Sequence, residues 1–412
     1  MLVAPVGPAD VYSAALGGIY GYASAGRLPC VAGHDGVGLV ARVGPGVKGA
    51  LAEGDLVQPA APLMGTWRAA AVWRAKALTR VGSLGARWRD AAGGGGAAAA
   101  AICRDAAGAA GAANGGAGGK VRGEIKGDDS TSTSRLGGGV DVLLPLEYLA
   151  VSRELLAAYR LLEMHDLKPG DCVILNAPNS TVGRAVLQLA RLLKLRTLAL
   201  LRPPAASPPP PPVNDSQGGV GPARQQGAAT DTGDAGGRDE ARWRQVAERL
   251  VALGATHVLR DEGAIQAQLG PLKHFARPSL ALDAVGGASA ARMADALCDG
   301  GTLVVYGCLG GAAPALDWKA YVFRGLTLKG FNARAWAAAH PSRAARALAS
   351  ISRLVAAGLL SLEFTEYEFK PEWRDAAEHA AGEQQGGPRG GSRALMMMPG
   401  LAAFRGHGGA EP

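Results

Sequence analysis

Asp171-Cys-Val-Ile-Leu-Asn-Ala-Pro-Asn-Ser-Thr-Val-Gly-Arg-Ala-Val-Leu-Gln-Leu-Ala-Arg-Leu-Leu-Lys-Leu-Arg-Thr-Leu-Ala-Leu-Leu-Arg202 is the stretch on which the reading of this chain turns. Residues 171–176 have the apolar, β-branched content of a short buried strand, entered through the Pro-Gly turn at 169–170. A polar turn at 177–183 follows, then apolar positions at helical spacing over 184–193 and a second strand at 197–201. Strand, turn, helix and strand make one βαβ unit, which strand twist drives into a right-handed crossover. Such a turn aims backbone N–H groups and a helix N-terminus at the place where the diphosphate of a dinucleotide can sit.

The turn departs from a glycine-rich fingerprint. Gly183 is its only glycine, and Pro178 and Thr181 stand where Gly is common. From this segment by itself, a plain βαβ crossover is an equal reading. Arg202 lies 19 residues after Gly183, close to where an acidic residue would hold a ribose 2′-OH. An Arg there suits a 2′-phosphate, which leans the expectation towards NADPH.

Outward from this unit, strands are expected at 256–259, 279–283, 302–306 and 326–330, with helices at 155–164, 243–253 and 288–297. The alternation predicts a doubly wound parallel sheet, an α/β fold. Ligands of such sheets bind beyond the carboxyl ends of the strands. Those ends are the 177–183 turn, Arg202, Val285-Gly-Gly287, Tyr306-Gly-Cys-Leu309 and Phe331-Asn332. Residues 1–89 carry short β-like runs at 37–43, 56–57 and 67–72, which suggest a small barrel-like β unit. Beyond the sheet, a helix is expected at 345–357, a β-like run at 364–369 and a helix from Pro371.

Two stretches break the pattern. Residues 91–119 are nearly all Ala and Gly and continue as a Ser/Thr/Gly segment to Gly139; the second, from Pro203 to about Glu240, contains the five prolines 208–212. Both are expected to loop out at the surface as low-complexity insertions. They account for much of the 61 Gly and 25 Pro in 412 residues. The expected division is 1–90, 91–139, 140–335 with its insertion 203–240, 336–400 and a tail 401–412.

No apolar run reaches the roughly 18 residues needed to span a bilayer, so a soluble protein without membrane contact is expected. The net charge of +8 comes from scattered Arg, which favours a solvated basic surface over a nucleic-acid partner. Cys30, Cys103, Cys172, Cys298 and Cys308 form no CxxC pair, and reduced thiols are expected. The chain begins at Met1-Leu-Val-Ala-Pro5 as though already inside a strand, with no transit segment of basic amphipathic type.

A β unit ahead of a nucleotide-binding unit resembles the medium-chain dehydrogenase/reductase superfamily, and within it the zinc-free mitochondrial trans-2-enoyl-CoA reductases. The likeness is carried by Met1-Leu-Val-Ala-Pro-Val-Gly-Pro-Ala-Asp10, Gly18-Ile-Tyr-Gly21, Gly65-Thr-Trp-Arg68, Asn176-Ala-Pro-Asn-Ser-Thr-Val-Gly183, Leu282-Asp-Ala-Val-Gly-Gly287, Tyr306-Gly307, Gly330-Phe331 and Gly391-Ser-Arg-Ala-Leu395, in family order. The resemblance implies a GroES-like β-barrel catalytic domain, here lacking its first strand, joined to a Rossmann domain. It implies reduction of enoyl-CoA or enoyl-acyl carrier protein by NADPH in a homodimer of the mitochondrial matrix, with a plastid as the other candidate compartment.

By the same resemblance Tyr20 is the catalytic residue, with Tyr22 its rival. Asn179, Ser180, Thr181, Val182, Arg202, Tyr306, Gly307, Cys308, Leu309, Phe331, Asn332, Ala333 and Arg393 are the expected cofactor contacts. Arg393 replaces a family Lys. Phe331 and Trp336 would wall an acyl pocket or belong to the core. Gly33-His-Asp-Gly36 is similar to a zinc-ligand motif of metal-dependent relatives, yet neither a preceding Cys nor a four-Cys lobe accompanies it, so no metal is expected. Competing readings are an NADPH:quinone oxidoreductase of the same superfamily and a non-catalytic nucleotide- or RNA-binding relative.

Overall fold

The structure is a computed structural model that describes residues 1–6, 10, 32–47, 49, 51–61, 64–68, 70–83, 144–203, 235–270, 276–369, 371–383 and 392–398. The first strands are β1 (Val3–Pro5), β2 (Gly38–Leu39), β3 (Asp55–Pro59) and β4 (Leu78–Ser83). Helices α1 (Leu146–Ala150) and α2 (Ser152–Glu163) lead to β5 (Cys172–Asn176), α3 (Thr181–Leu192) and β6 (Arg196–Leu201). There follow α4 (Ala235–Leu253), β7 (His257–Arg260), α5 (Ile265–Leu269), β8 (Leu280–Asp283), α6 (Gly287–Ala296), β9 (Thr302–Val305), α7 (Trp318–Val322) and β10 (Thr327–Gly330). The chain closes with α8 (Ala333–Ala339), α9 (Pro341–Ala356), β11 (Glu363–Glu368), α10 (Trp373–Glu383) and β12 (Ser392–Met397).

Strands β5 to β10 form one parallel sheet in the order β10-β9-β8-β5-β6-β7. The order reverses between β5 and β8, so the ends of those two strands flank the crevice where ligands of doubly wound sheets bind. Alternation of side chains across the pleat explains why both faces are apolar. Val173 and Leu175 of β5 join one core cluster with α2, α3 and α4, while Ile174 joins a second with Ile265 and Met293.

Outside this sheet, β2-β3-β4 is antiparallel with a register shift between Leu56 and Val57, and β1-β12-β11 is mixed. A bridge between Val3 and Val37 joins the two. Among the described residues, these two sheets hold the strands outside the parallel sheet.

Three sequence expectations need correction. The run at 67–72 is not a strand: Trp67 N–H donates to Ala32 O and Val72 is 101% exposed. The third strand of that sheet is β4, whose Leu-Thr-Arg-Val-Gly-Ser composition lacked a clear apolar run. Helix α4 begins at Ala235, inside the segment assigned to the second insertion. The Ala/Gly tract and the proline run lie outside the described residues. No helix among the described residues is long and apolar enough to cross a membrane.

Candidate cofactor and active site

The turn after β5 is shaped by three residues. Ala177 adopts a left-handed backbone, φ 46°, which costs a non-glycine residue about 1 kcal/mol. Ser180 is the N-cap of α3: its Oγ accepts from Gly183 N–H at 3.1 Å and donates to Ala177 O at 2.8 Å. A Cβ on Gly183 would stand 2.6 Å from Ala177 O and 2.7 Å from Pro178 O, so this position accepts only glycine. The single glycine of the turn therefore serves the close approach of helix to strand, and Ser180 supplies the local ordering.

A pocket opens above this turn, lined by Ala177, Pro178, Asn179, Ser180, Leu200, Leu201, Arg202, Asp261, Val285, Leu309 and Arg393. Five expected contacts thus converge: Asn179 and Ser180 from the turn, Arg202 from the end of β6, Leu309 after β9, and Arg393 from β12. Arg202 is exposed, as a residue that meets a soluble phosphate must be. Arg393 is buried and donates to Glu154 Oε1 of α2 at 3.1 Å, so its charge is balanced within the protein.

Other expected contacts sit elsewhere. Thr181 is 3% exposed, and its buried hydroxyl has no hydrogen-bond partner among the described residues. Neither Thr181 nor Val182 lines the pocket. Gly307 lies against Ala284, where a Cβ would come within 3.1 Å of the Ala284 carbonyl oxygen. Cys308 Sγ donates to Ala312 O at 3.7 Å. Asn332 caps α8, its Oδ1 accepting from Ala335 N–H at 3.0 Å, with Ala333 as the first helical residue. Phe331 and Trp336 pack against the main core; the Arg160 guanidinium lies 5.2 Å from the Trp336 ring and His340 stacks on it. Both are partly buried against that core, and neither lines the pocket. Tyr20 and Tyr22 lie outside the described residues.

Beneath the pocket runs a buried polar network that sequence reasoning missed. Asn176 Nδ2 donates to Asp283 Oδ1 at 2.7 Å and to Ser289 Oγ at 2.9 Å, and its Oδ1 accepts from Ala284 N–H at 2.8 Å. These bonds tie the end of β5 to the end of β8. Ser289 Oγ in turn donates to Asp261 Oδ2 at 2.6 Å, and Arg292 pairs with Asp261 at 2.8 Å. Asp261 directly follows β7, so the rule that marked Arg202 as a strand-end residue marks it too. The Tyr306 hydroxyl is buried; burial pushes it above the ordinary tyrosine range, Asp283 adds to the rise and the Ser180 hydroxyl opposes it. Tyr306 therefore stays protonated at neutral pH.

In the N-terminal unit, Gly33-His-Asp-Gly36 is stitched to Gly65-Thr-Trp67. Gly65 and Thr66 N–H donate to Gly33 O, and Thr66 Oγ1 donates to Asp35 O at 2.7 Å. His34 is buried, with Nδ1 3.4 Å from Asp10 Oδ1, while its backbone N–H donates to the same oxygen at 2.8 Å. Among the described residues, no three His, Cys, Asp or Glu side chains converge as a metal site.

No protein-family model matches the chain. Among curated proteins it is similar to the mitochondrial enoyl-[acyl-carrier-protein] reductase of Homo sapiens, 28% identical over 364 residues, which cover 88% of this chain and 71% of that protein. Among solved structures it resembles the Etr1p/NADP/crotonyl-CoA complex, with TM-score 0.59, 19% identity, and coverage of 96% of this chain and 89% of that one. The quinone oxidoreductase of Escherichia coli complexed with NADPH matches with TM-score 0.59, 16% identity and the same coverages. At these identities the likeness is one of overall fold, shared with both solved structures.

Proposed function

We propose that this chain is a zinc-free, NADPH-dependent reductase of trans-2-enoyl thioesters, of the medium-chain dehydrogenase/reductase type. The observation that carries the reading is the convergence of Asn179, Ser180, Arg202 and Arg393 on one pocket at the point where the strand order reverses. The similarity to mitochondrial enoyl-[acyl-carrier-protein] reductase supplies the substrate class.

The residues present fit the dinucleotide. Gly183 lets the start of α3 approach the strand, leaving the turn's polar groups at the pocket wall, and the helix N-terminus favours a diphosphate. Asn179 and Ser180 hold that diphosphate. Arg202 binds the 2′-phosphate as a charge-assisted donor. Arg393 reaches the same cleft, and Thr181 and Val182 act through the backbone of the first helical turn. Tyr306, Gly307, Cys308, Leu309, Phe331, Asn332 and Ala333 complete the nicotinamide side at the ends of β9 and β10.

Bound NADPH supplies a hydride to the β carbon of the enoyl thioester. The protein's own task is the charge that then appears on the thioester oxygen. Tyr20 donates a hydrogen bond to that oxygen and a proton to the α carbon; a phenol with its ordinary pKa of about 10 is a proton donor at neutral pH. Preorganised donors of this kind supply the largest catalytic effect in most enzymes. Tyr20→Phe is expected to lower turnover about tenfold or more, with NADPH affinity held within about threefold. Unchanged turnover moves the role to Tyr22.

NADPH oxidation with crotonyl-CoA, run beside the same assay with a quinone, tests the activity. Faster oxidation with the quinone selects the quinone reductase reading, which the similarity to the Escherichia coli enzyme keeps in play. Whether CoA or acyl carrier protein delivers the acyl group follows from the same assay with each. The relatives are mitochondrial, and we assign this chain to the matrix on that resemblance. Two copies are inferred to pair through β10, the exposed edge of the large sheet.

A further inference from the structure

Two arginines of the nucleotide-binding unit meet two acceptors of the N-terminal unit. Arg334, the second residue of α8, donates through its Nη2 to Asp35 Oδ1 at 2.9 Å and through Nη1 to Pro59 O at 3.0 Å. Arg153, the second residue of α2, contacts the same carboxylate oxygen and the same Pro59 carbonyl. Asp35 is held from behind by Thr66, which is fully buried. Both guanidinium groups and the carboxylate are largely buried, so the contact is shielded from salt and its attraction is far stronger than that of a surface pair. Burial and the neighbouring Arg334 charge push the Arg153 guanidinium down to about 9, and the adjacent Glu154 carboxylate works the other way. Two cations on one carboxylate are stable only while that carboxylate stays in place.

The position of this contact gives it a role. Arg334 comes one residue after Ala333, so its helix starts directly at the carboxyl end of β10, one of the strand ends that face the ligand crevice. Asp35 belongs to the loop stitched to Gly65-Thr-Trp67. Resting on the enoyl reductase reading above, we infer that Asp35 is a positioning residue: its ion pairs with Arg153 and Arg334 latch the N-terminal unit against the nicotinamide end of the Rossmann sheet. The sequence marked this loop only by its similarity to a zinc-ligand motif. The geometry makes its carboxylate the pivot of a charge latch, which acts on the reaction by holding apart or together the groups that carry it. Displacements of about 1 Å at reacting groups cost up to about a hundredfold in rate.

The test uses the full chain with NADPH and crotonyl-CoA, and hydrogen exchange on the ligand-free protein. Asp35→Asn is expected to lower kcat about tenfold while NADPH affinity changes less than about threefold, because neither Asp35 nor Arg334 lines the nucleotide pocket. Asp35→Glu should recover most of the loss. Backbone amides at 335–338 should exchange faster in Asp35→Asn, with those at 173–176 unchanged. Should Asp35→Asn fail to fold, Arg334→Gln reads the same latch from the other side. Combining Asp35→Asn and Arg334→Gln should cost no more than either change by itself. Wild-type kcat and exchange in Asp35→Asn, or Asp35→Glu as impaired as Asp35→Asn, overturns the latch. A wild-type chain that oxidises no NADPH with any enoyl thioester removes the catalytic reading, and the exchange result then decides the latch independently.

Discussion

At the scale of single residues, Arg202 and Thr181 show opposite relations between sequence and structure. Arg202 was marked by its distance from Gly183, and it stands exposed at the rim of the pocket with Asn179 and Ser180. Its charge is the one the 2′-phosphate would meet. Arg202→Ala is expected to weaken NADPH by about tenfold or more and to leave NADH nearly unchanged; an NADPH to NADH affinity ratio equal to wild type, measured by fluorescence titration, refutes the assignment. Thr181 was expected among the cofactor contacts, at a place where Gly is common. It is a buried first residue of α3 that does not line the pocket, and its hydroxyl, which has no hydrogen-bond partner among the described residues, costs roughly 1 kcal/mol or more. Spacing reports which residues share a strand end, whereas the direction of a side chain is set by the backbone that carries it.

At the scale of elements, the βαβ unit was legible because parallel strands buried on both faces read as continuous apolar runs. Cys172–Asn176 is buried throughout, and so is Leu198–Leu201 of β6. The turn between β5 and α3 shows why a glycine count is a poor guide. Gly183, the turn's one glycine, faces a contact that forbids a Cβ. Gly183→Ala is expected to push α3 off the strand end, lowering stability by about 3 kcal/mol and NADPH affinity about tenfold; a thermal melt and a binding titration both near wild type would show that the turn can shift. Strand β4 was illegible for the opposite reason. It contains Arg80, whose Nε pairs with the buried Asp55 at 3.0 Å, and Gly82, so it carries little apolar signal. Its place comes from pairing with β3, and pairing is not written locally. The same holds for the misplaced strand at 67–72, where the Trp67 N–H is taken by Ala32 O and those of Gly65 and Thr66 just before it by Gly33 O.

At the scale of the whole molecule, β10 ends the parallel sheet with all four residues exposed. Next to it α7 presents Trp318, Tyr321 and Val322, followed by Phe323 at 71% exposure, and β10 itself exposes Leu328. A bare edge strand beside exposed large apolar side chains is the kind of surface that a two-fold dimer covers. Phe323→Asp with Leu328→Lys is expected to convert a dimer to a monomer in sedimentation, while β5, α3 and the nucleotide pocket keep their fold. A wild-type chain that sediments as a monomer excludes this pairing.

Periodicity and turn chemistry along the chain were enough for the six strands from 171 to 330, the longer helices between them, the parallel sheet and the strand ends from which residues reach the pocket, while the short helices α5 and α7 went unread. These are local properties: burial on both faces selects apolar runs, and a strand followed by a helix has one favoured handedness. Contacts between distant segments lay beyond such reading. Arg393 in the pocket against Glu154, Asn176 bound to Asp283, and Asp35 between Arg153 and Arg334 join residues separated by more than a hundred positions. A polar residue's sequence neighbours do not reveal its partner, since burial demands only that some partner be found and the tertiary fold chooses which.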